Sequence, residues 1–121
     1  MLQAKQQPLI ILFGSQVNGH ARKMSDFDAA VLDNHELSLK EKIKLGEYIA
    51  EKLKITEDKL DLVDLWRASP LLQYQVSSQG KLLEGDKSDF NRFKILAWKR
   101  YLNTAKLRRA REESLKKQYA R

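Results

Sequence analysis

Short apolar runs divide the chain into segments with the length and pattern of β-strands. Residues 8–13 form a continuous apolar run, and residues 26–32 end in a second one. The same pattern places two further strands at residues 59–65 and 81–84. Apolar runs of this length, bounded by polar residues, are typical of buried strands. We therefore predict a sheet of four short strands.

The clearest helical pattern begins at Ser38. Ser38 is followed three residues later by Glu41, which is the spacing of a capping box at a helix N-terminus. The apolar positions then recur at alternating steps of four and three residues: Leu39, Ile43, Gly46, Ala50 and Leu53. This spacing predicts a helix with one apolar face.

Weaker helix signals lie between the other predicted strands. Ser69 can cap a helix that has Pro70 at its first position and ends before Gly80. A short helix at residues 15–21, a loop at 22–25 and a long helix from near Ser88 complete the pattern. The order β-α-β-α-β-α-β-α predicts an α/β (α+β) domain.

Composition limits the class of protein. With 121 residues and 42% hydrophobic residues, the chain is expected to form one domain with a modest core. It contains no cysteine, which favours a reducing compartment and excludes disulfides and thiolate metal sites. No apolar run approaches the ~20 residues that cross a membrane. We therefore expect a cytoplasmic protein without a membrane partner.

Positive charge is concentrated at the C-terminus. Residues 86–121 contain 12 Lys or Arg against 4 Asp or Glu, a net +8, whereas residues 1–85 contain 11 against 12, a net −1. We expect a core at residues 1–85 and a basic C-terminal helix at 86–121 that packs on it. The end of this helix could be frayed and solvated, or it could contact RNA phosphates or an acidic protein.

Two short motifs suggest chemistry on phosphates. Gly14 lets the backbone approach phosphate oxygens, and Ser15 offers a hydroxyl next to it. Asp26 and Asp28 are two residues apart, so on a strand both carboxylates point to one face and can share one Mg²⁺. Together these residue types fit nucleotidyl transfer, in which divalent cations neutralise the charge on the reacting phosphates.

Additional candidates surround these motifs. Arg22 and Lys23 lie in the loop before Asp26, where cations could contact a triphosphate. A third carboxylate could come from Asp61 or Asp64, which are three residues apart. Residues three apart on a strand face opposite sides of the sheet, so only one of the two can join Asp26 and Asp28.

The combined pattern resembles a known family. Gly14, Ser15, Asp26 and Asp28, with the run at 59–65 and the segments that follow it, are similar to the minimal nucleotidyltransferases (MNT) of the DNA polymerase β superfamily. The resemblance is strongest to the MNT antitoxins that are paired with HEPN-domain toxins, and it covers roughly residues 8 to 105. It implies the nucleotidyltransferase fold, a mixed sheet with helices on one face and the metal site on the other. It also favours Asp61 over Asp64 as the third ligand.

The resemblance implies an activity as well. It points to an antitoxin that uses Mg²⁺ and transfers AMP from ATP to a tyrosine of a HEPN ribonuclease toxin, with Asp26, Asp28 and Asp61 as catalytic residues. Gly14, Ser15, Arg22 and Lys23 would then bind the nucleotide. Two alternatives remain open at this point, a nucleotidyltransferase that modifies small molecules such as aminoglycosides, and an antitoxin that neutralises by binding alone.

Overall fold

A four-stranded mixed sheet forms the centre of the protein. The computed structural model describes residues 7–14 and 27–119, so the predicted helix at 15–21 and loop at 22–25 lie outside the described residues. The strands are β1 (Leu9–Phe13), β2 (Phe27–Leu32), β3 (Leu60–Asp64) and β4 (Lys81–Glu84), in the sheet order β3-β2-β1-β4. All four predicted strands are confirmed, with bounds that differ by at most one residue from the prediction.

The direction of the strands follows from how they are connected. β1 is antiparallel to both β2 and β4, whereas β2 and β3 are parallel. The parallel pair needs a crossover, and the helix α1 (Leu39–Leu53) supplies it. A short 3-10 helix at Glu57–Lys59 leads from α1 into β3.

Local capping signals define where the first two described helices begin. The Ser38 side chain accepts from the Glu41 N–H, and the Glu41 side chain accepts from the Ser38 N–H, so the predicted capping box is present. The helix α2 (Pro70–Gln79) begins with Pro70, and the Ser69 hydroxyl accepts from the Leu72 N–H at its N-terminus. The third helix, α3, runs from Lys87 to Tyr119.

The helices cover both faces of the sheet. On one face Ile11 and Ala30 pack with Val76 of α2 and with Phe90 and Phe93 of α3. On the other face the sheet packs against α1 through a second cluster of buried residues: Ile10, Ala29, Val31, Leu37 and Ile49. The fold class and the long C-terminal helix are confirmed, but the expectation that the helices share one face is wrong. The reason is that β1 and β2 are apolar on both sides and need cover on both.

The buried face of α1 agrees only in part with the predicted one, since Ala50 is buried and Leu53 packs against the second cluster as expected, but the first two predicted positions are exposed. Leu39 and Ile43 are 75% and 52% exposed, whereas Ile49 and Ala50 are buried. Ile43 lies six residues before Ile49, about 120° away around a helix, so both cannot point to the sheet. Contacts with the sheet decide which side is buried.

A polar contact fixes α1 against the sheet edge. Glu84 of β4 accepts hydrogen bonds from the Tyr48 hydroxyl and from Lys52 Nζ, the latter at 2.6 Å. The ammonium group of Lys52 is the main reason that the pKa of Glu84 lies below its ordinary value. This contact joins the first helix to the last strand.

None of the described helices has an apolar stretch long enough to cross a membrane.

We expect the capping box at Ser38 to contribute measurably to stability. Ser38→Ala removes the acceptor of the Glu41 N–H, which should lower the free energy of unfolding by about 1 kcal/mol. Urea unfolding followed by circular dichroism measures this. Ser114→Ala is the control, because Ser114 is exposed in the interior of α3 and caps nothing. Equal stability of the two variants would contradict a role for the cap.

Candidate active site

Three strand ends meet at one edge of the sheet. β1 ends at Phe13, where β2 and β3 begin, because β1 is antiparallel to β2 and β2 is parallel to β3. In the register, Phe13 is the partner of Asp28, and Asp28 is the partner of Asp61. Gly14 follows Phe13 directly. The fold therefore brings Gly14, Asp28 and Asp61 together from three separate segments.

Asp28 and Asp61 lie on the same face of the sheet. Residues in register on neighbouring strands point to the same side, and the strands are about 4.8 Å apart. Two residues further along each strand, Ala30 and Val63 pack with the cluster under α2 and α3, which identifies the face. Asp61 is exposed and Asp28 is half-buried. Two carboxylates thus face one partly open region.

Asp64 lies on the face of the sheet that α1 covers, and its carboxylate accepts hydrogen bonds from backbone N–H groups. Its Oδ2 accepts from the Leu37 N–H at 3.0 Å, and its Oδ1 accepts from the Trp66 N–H at 3.0 Å. Leu37 belongs to the cluster on the α1 face. Asp64 therefore ties the chain ahead of α1 to the end of β3. Of the two carboxylates that the sequence left open, only Asp61 shares a face with Asp28.

Gly14 has no room for a side chain. Its φ is +93°, in a region that residues with a Cβ rarely adopt. A Cβ atom built on Gly14 would lie 2.3 Å from Oδ2 of Asp28. The backbone turn after β1 is therefore in direct contact with the Asp28 carboxylate. A phosphate held by this turn would lie beside that carboxylate.

The donor atoms at this edge suit a hard divalent cation. Magnesium prefers oxygen ligands, and it is commonly bound by one or two carboxylates with water and substrate phosphates as the other ligands. Asp28 and Asp61 offer carboxylates from adjacent strands on one face. This arrangement fits Mg²⁺ bound together with a nucleotide better than a site closed by protein ligands alone.

Four predicted site residues lie outside the described part of the chain. These are the first carboxylate of the Asp-x-Asp motif and three candidates for nucleotide binding: Asp26, Ser15, Arg22 and Lys23. Their predicted roles stay predictions.

A polar cluster at the opposite end of β2 was not predicted from the sequence. His35 Nε2 lies 2.7 Å from Glu41 Oε2, and His35 Nδ1 lies 2.7 Å from Asn34 Oδ1. The hydrogen bond to Glu41 raises the pKa of His35, and Asp33 completes a group whose ligand atoms lie within 4.8 Å of one another. Glu41 is also part of the capping box, so helix capping explains its position.

A cavity of about 400 Å³ lies at the same end of the sheet as this cluster. Trp66, Gln73 and Arg100 are among its lining residues. Gln73 is buried, donates to the carbonyl oxygen of Leu65 at 2.9 Å and accepts from Arg100 at 3.1 Å. Neither Asp28 nor Asp61 lines this cavity, so it is separate from the carboxylate edge.

Comparisons with known proteins find a family model that matches most of the chain. The family model described as "Polymerase beta, Nucleotidyltransferase" matches residues 2–89. The protein adenylyltransferase MntA of Shewanella oneidensis is 39% identical over 87 residues. That match covers 72% of this chain and 60% of the relative, so the chain aligns with about three-fifths of the relative's length.

Solved structures of toxin–antitoxin complexes contain a similar fold. A toxin–antitoxin structure with AMP-PNP has a TM-score of 0.73 and 34% identity, and the match covers 93% of this chain and 88% of that one. A structure of a tri-AMPylated HEPN toxin of Shewanella oneidensis in complex with an MNT antitoxin has a TM-score of 0.66 and 33% identity. That match covers 92% of this chain and 83% of the other.

Proposed function

This chain belongs to the polymerase β nucleotidyltransferase family, and from this membership we propose that it is the antitoxin of a HEPN/MNT pair. In this proposal it is a protein adenylyltransferase that moves AMP from ATP to a tyrosine of a HEPN ribonuclease toxin. The similar protein of Shewanella oneidensis is a protein adenylyltransferase, and a similar solved complex contains a HEPN toxin that carries AMP groups.

The observation that carries the proposal is the pairing of Asp28 with Asp61. These residues come from different strands, are 33 positions apart in the chain and are direct partners in the sheet register. Gly14 contacts the same carboxylate from a third strand end. A turn for phosphates beside a pair of carboxylates is the arrangement that nucleotidyl transfer needs.

In the proposed mechanism, Asp26, Asp28 and Asp61 would hold Mg²⁺. When bound, this ion would neutralise charge on the phosphate oxygens. The tyrosine hydroxyl of the toxin attacks the α-phosphorus, a new oxygen–phosphorus bond forms, and pyrophosphate leaves as the bond to the β-phosphate breaks. Asp61 would either complete the metal site, in which case the proton of the attacking hydroxyl passes to solvent, or accept that proton itself.

The nucleotide would be held by the remaining predicted residues. Gly14 allows the backbone to approach the phosphates, Ser15 supplies a hydroxyl, and Arg22 and Lys23 place positive charge near the triphosphate.

Because ATP is the proposed donor, the proposal places the protein in the cytoplasm. Contact of the basic helix α3 with RNA stays a prediction.

The activity is tested by mixing the protein with Mg²⁺, ATP and the proposed partner, a HEPN-domain toxin. We expect intact-mass spectrometry to show the partner gaining the mass of one or more AMP groups. Label from the α-phosphate of ATP should appear on the partner, and label from the γ-phosphate should leave with pyrophosphate. Transfer of the γ-label would indicate a kinase, and transfer to a small molecule such as an aminoglycoside in place of the protein would favour the alternative function.

A further inference from the structure

The first half of α3 is firmly attached to the body of the protein. Phe90, Phe93 and Ala97 are buried in the cluster that covers the sheet. One turn further on, the ring of Tyr101 stacks on Tyr74 of α2 with the centroids 4.3 Å apart and the planes 8° apart. The orientation of α3 about its own axis is therefore fixed in this part. Any side chain on its outer side is held in a defined place.

Large apolar side chains occupy that outer side. Ile95, Trp98 and Leu102 are 54%, 51% and 40% exposed, respectively. They are separated by three and four residues, so they form one stripe along the helix, which we call the outer stripe. Scattered exposed apolar residues are ordinary, but a contiguous group with a tryptophan is typical of protein interfaces.

Positive charge surrounds the outer stripe. Between Asp89 and Glu112 the helix contains eight Lys or Arg and no Asp or Glu. Lys99, Lys106 and Arg109 project on the same side as the stripe, since they lie three to seven residues from Leu102 along the helix. Within residues 7–14 and 27–119, no carboxylate forms an ion pair with these three cations. A partner that supplies carboxylates around an apolar centre would complement both features.

We infer that the outer stripe docks an amphipathic helix of the partner toxin whose apolar face is flanked by Asp and Glu. Helices pack by fitting ridges of side chains into grooves, and an apolar stripe on a fixed helix is one half of such a contact. The identity of the partner as the toxin rests on the proposed function. The docking face itself rests on the exposure and charge of α3.

Other occupants fit this surface less well. A second copy of the chain would bring the same cations against each other, and like charges at an interface are unfavourable. RNA would match the cations, but phosphates make no use of Ile95 or Leu102. An acidic amphipathic helix uses the apolar centre and the charged border together.

The inference is tested by calorimetry, which measures binding of the full chain to the HEPN-domain toxin that receives AMP in the proposed function. Trp98→Ser with Leu102→Ser should weaken binding by at least about tenfold, because buried aromatic residues dominate interface energies. Leu39→Ser with Ile43→Ser is the control, since this pair is also apolar and is more exposed than Trp98 and Leu102 but lies on α1. The control should bind as the unmodified protein does.

A second pair of variants tests the charged border. Lys99→Glu with Lys106→Glu should weaken binding, and the loss should shrink as salt is raised, because exposed charges are screened over about 10 Å at 0.1 M ionic strength. Lys40→Glu with Lys44→Glu on α1 changes the net charge equally and should have little effect. A chain truncated after Leu107 keeps the outer stripe and should lose less affinity than the Trp98 and Leu102 variant.

Specific outcomes would overturn the inference. The first is that the Trp98 and Leu102 variant binds the toxin as tightly as the unmodified protein does. The second is that truncation after Leu107 lowers the affinity for the toxin more than that variant does. The third is that the two substitutions change only self-association or RNA binding. Failure of the proposed AMP transfer gives a different result from failure of the docking inference, because the toxin would then bind through α3 without receiving AMP. Conversely, stripe variants should still transfer AMP when the toxin is supplied at a saturating concentration.

Discussion

Asp28→Asn should abolish AMP transfer while the protein stays folded. Asp28 and Asp61 are partners in the register and share one face, so they are the described carboxylates best placed to hold a divalent cation for the nucleotide. Loss of a group that stabilises charge in a transition state lowers rates by at least about a hundredfold. We expect Asp61→Asn to have the same effect. Transfer of α-labelled AMP to the partner, with circular dichroism to confirm folding, measures both.

The control for this prediction is Asp64→Asn. Asp64 lies on the α1 face and accepts from the Leu37 and Trp66 N–H groups, so its role is structural. An asparagine keeps only one acceptor oxygen, and the free energy of unfolding should fall by about 1–3 kcal/mol. AMP transfer by the folded Asp64→Asn protein should remain close to normal. Inactivity of Asp64→Asn with an active Asp61→Asn would show that the third ligand is assigned wrongly.

Folding without the metal should tolerate loss of a site carboxylate. Asp28 and Asp61 carry like charges on neighbouring strands, and such groups repel one another when no cation lies between them. Asp61→Asn should therefore unfold in urea at a concentration equal to or above that of the unmodified protein in the absence of Mg²⁺. Marked destabilisation would indicate that the Asp61 carboxylate supports the fold instead.

Gly14→Ala is expected to remove both activity and part of the stability. The φ of +93° costs a residue with a Cβ about 1–3 kcal/mol. The new Cβ would lie 2.3 Å from Oδ2 of Asp28, so that carboxylate has to move. The substitution thus disturbs the phosphate turn and the metal site at once. Metal-dependent ATP binding by calorimetry, and AMP transfer, should both be lost.

Gly85→Ala separates the loss of stability from the loss of ATP binding that we expect for Gly14→Ala. Gly85 also has a positive φ, +121°, and its added Cβ would lie 2.6 Å from Leu9 Cδ2, away from the carboxylate edge. This variant should lose stability as Gly14→Ala does but keep ATP binding. If both variants bind ATP normally, Gly14 is needed only for the turn and has no role at the nucleotide.

Signals that depend on neighbouring residues were predicted well from the sequence. The capping box of Ser38 and Glu41, and Ser69 followed by Pro70, mark helix starts because each cap bonds to backbone groups within three residues. The short apolar runs predicted all four strands for a similar reason, since strand length and burial are visible in the run itself. The Gly14, Ser15, Asp26 and Asp28 motif also lies within one short segment, of which the structure describes Gly14 and Asp28, and its role stays a prediction.

Features that depend on distant residues were decided by the tertiary structure. The sequence showed that Asp61 and Asp64 face opposite sides, but only the pairing of β2 with β3 shows which of them faces Asp28. The same holds for the two-sided cover of the sheet and for the buried side of α1, which is set by contacts with residues of other segments, such as Ile10 and Val31. Strand register is a property of hydrogen bonds between segments, and no single segment contains it.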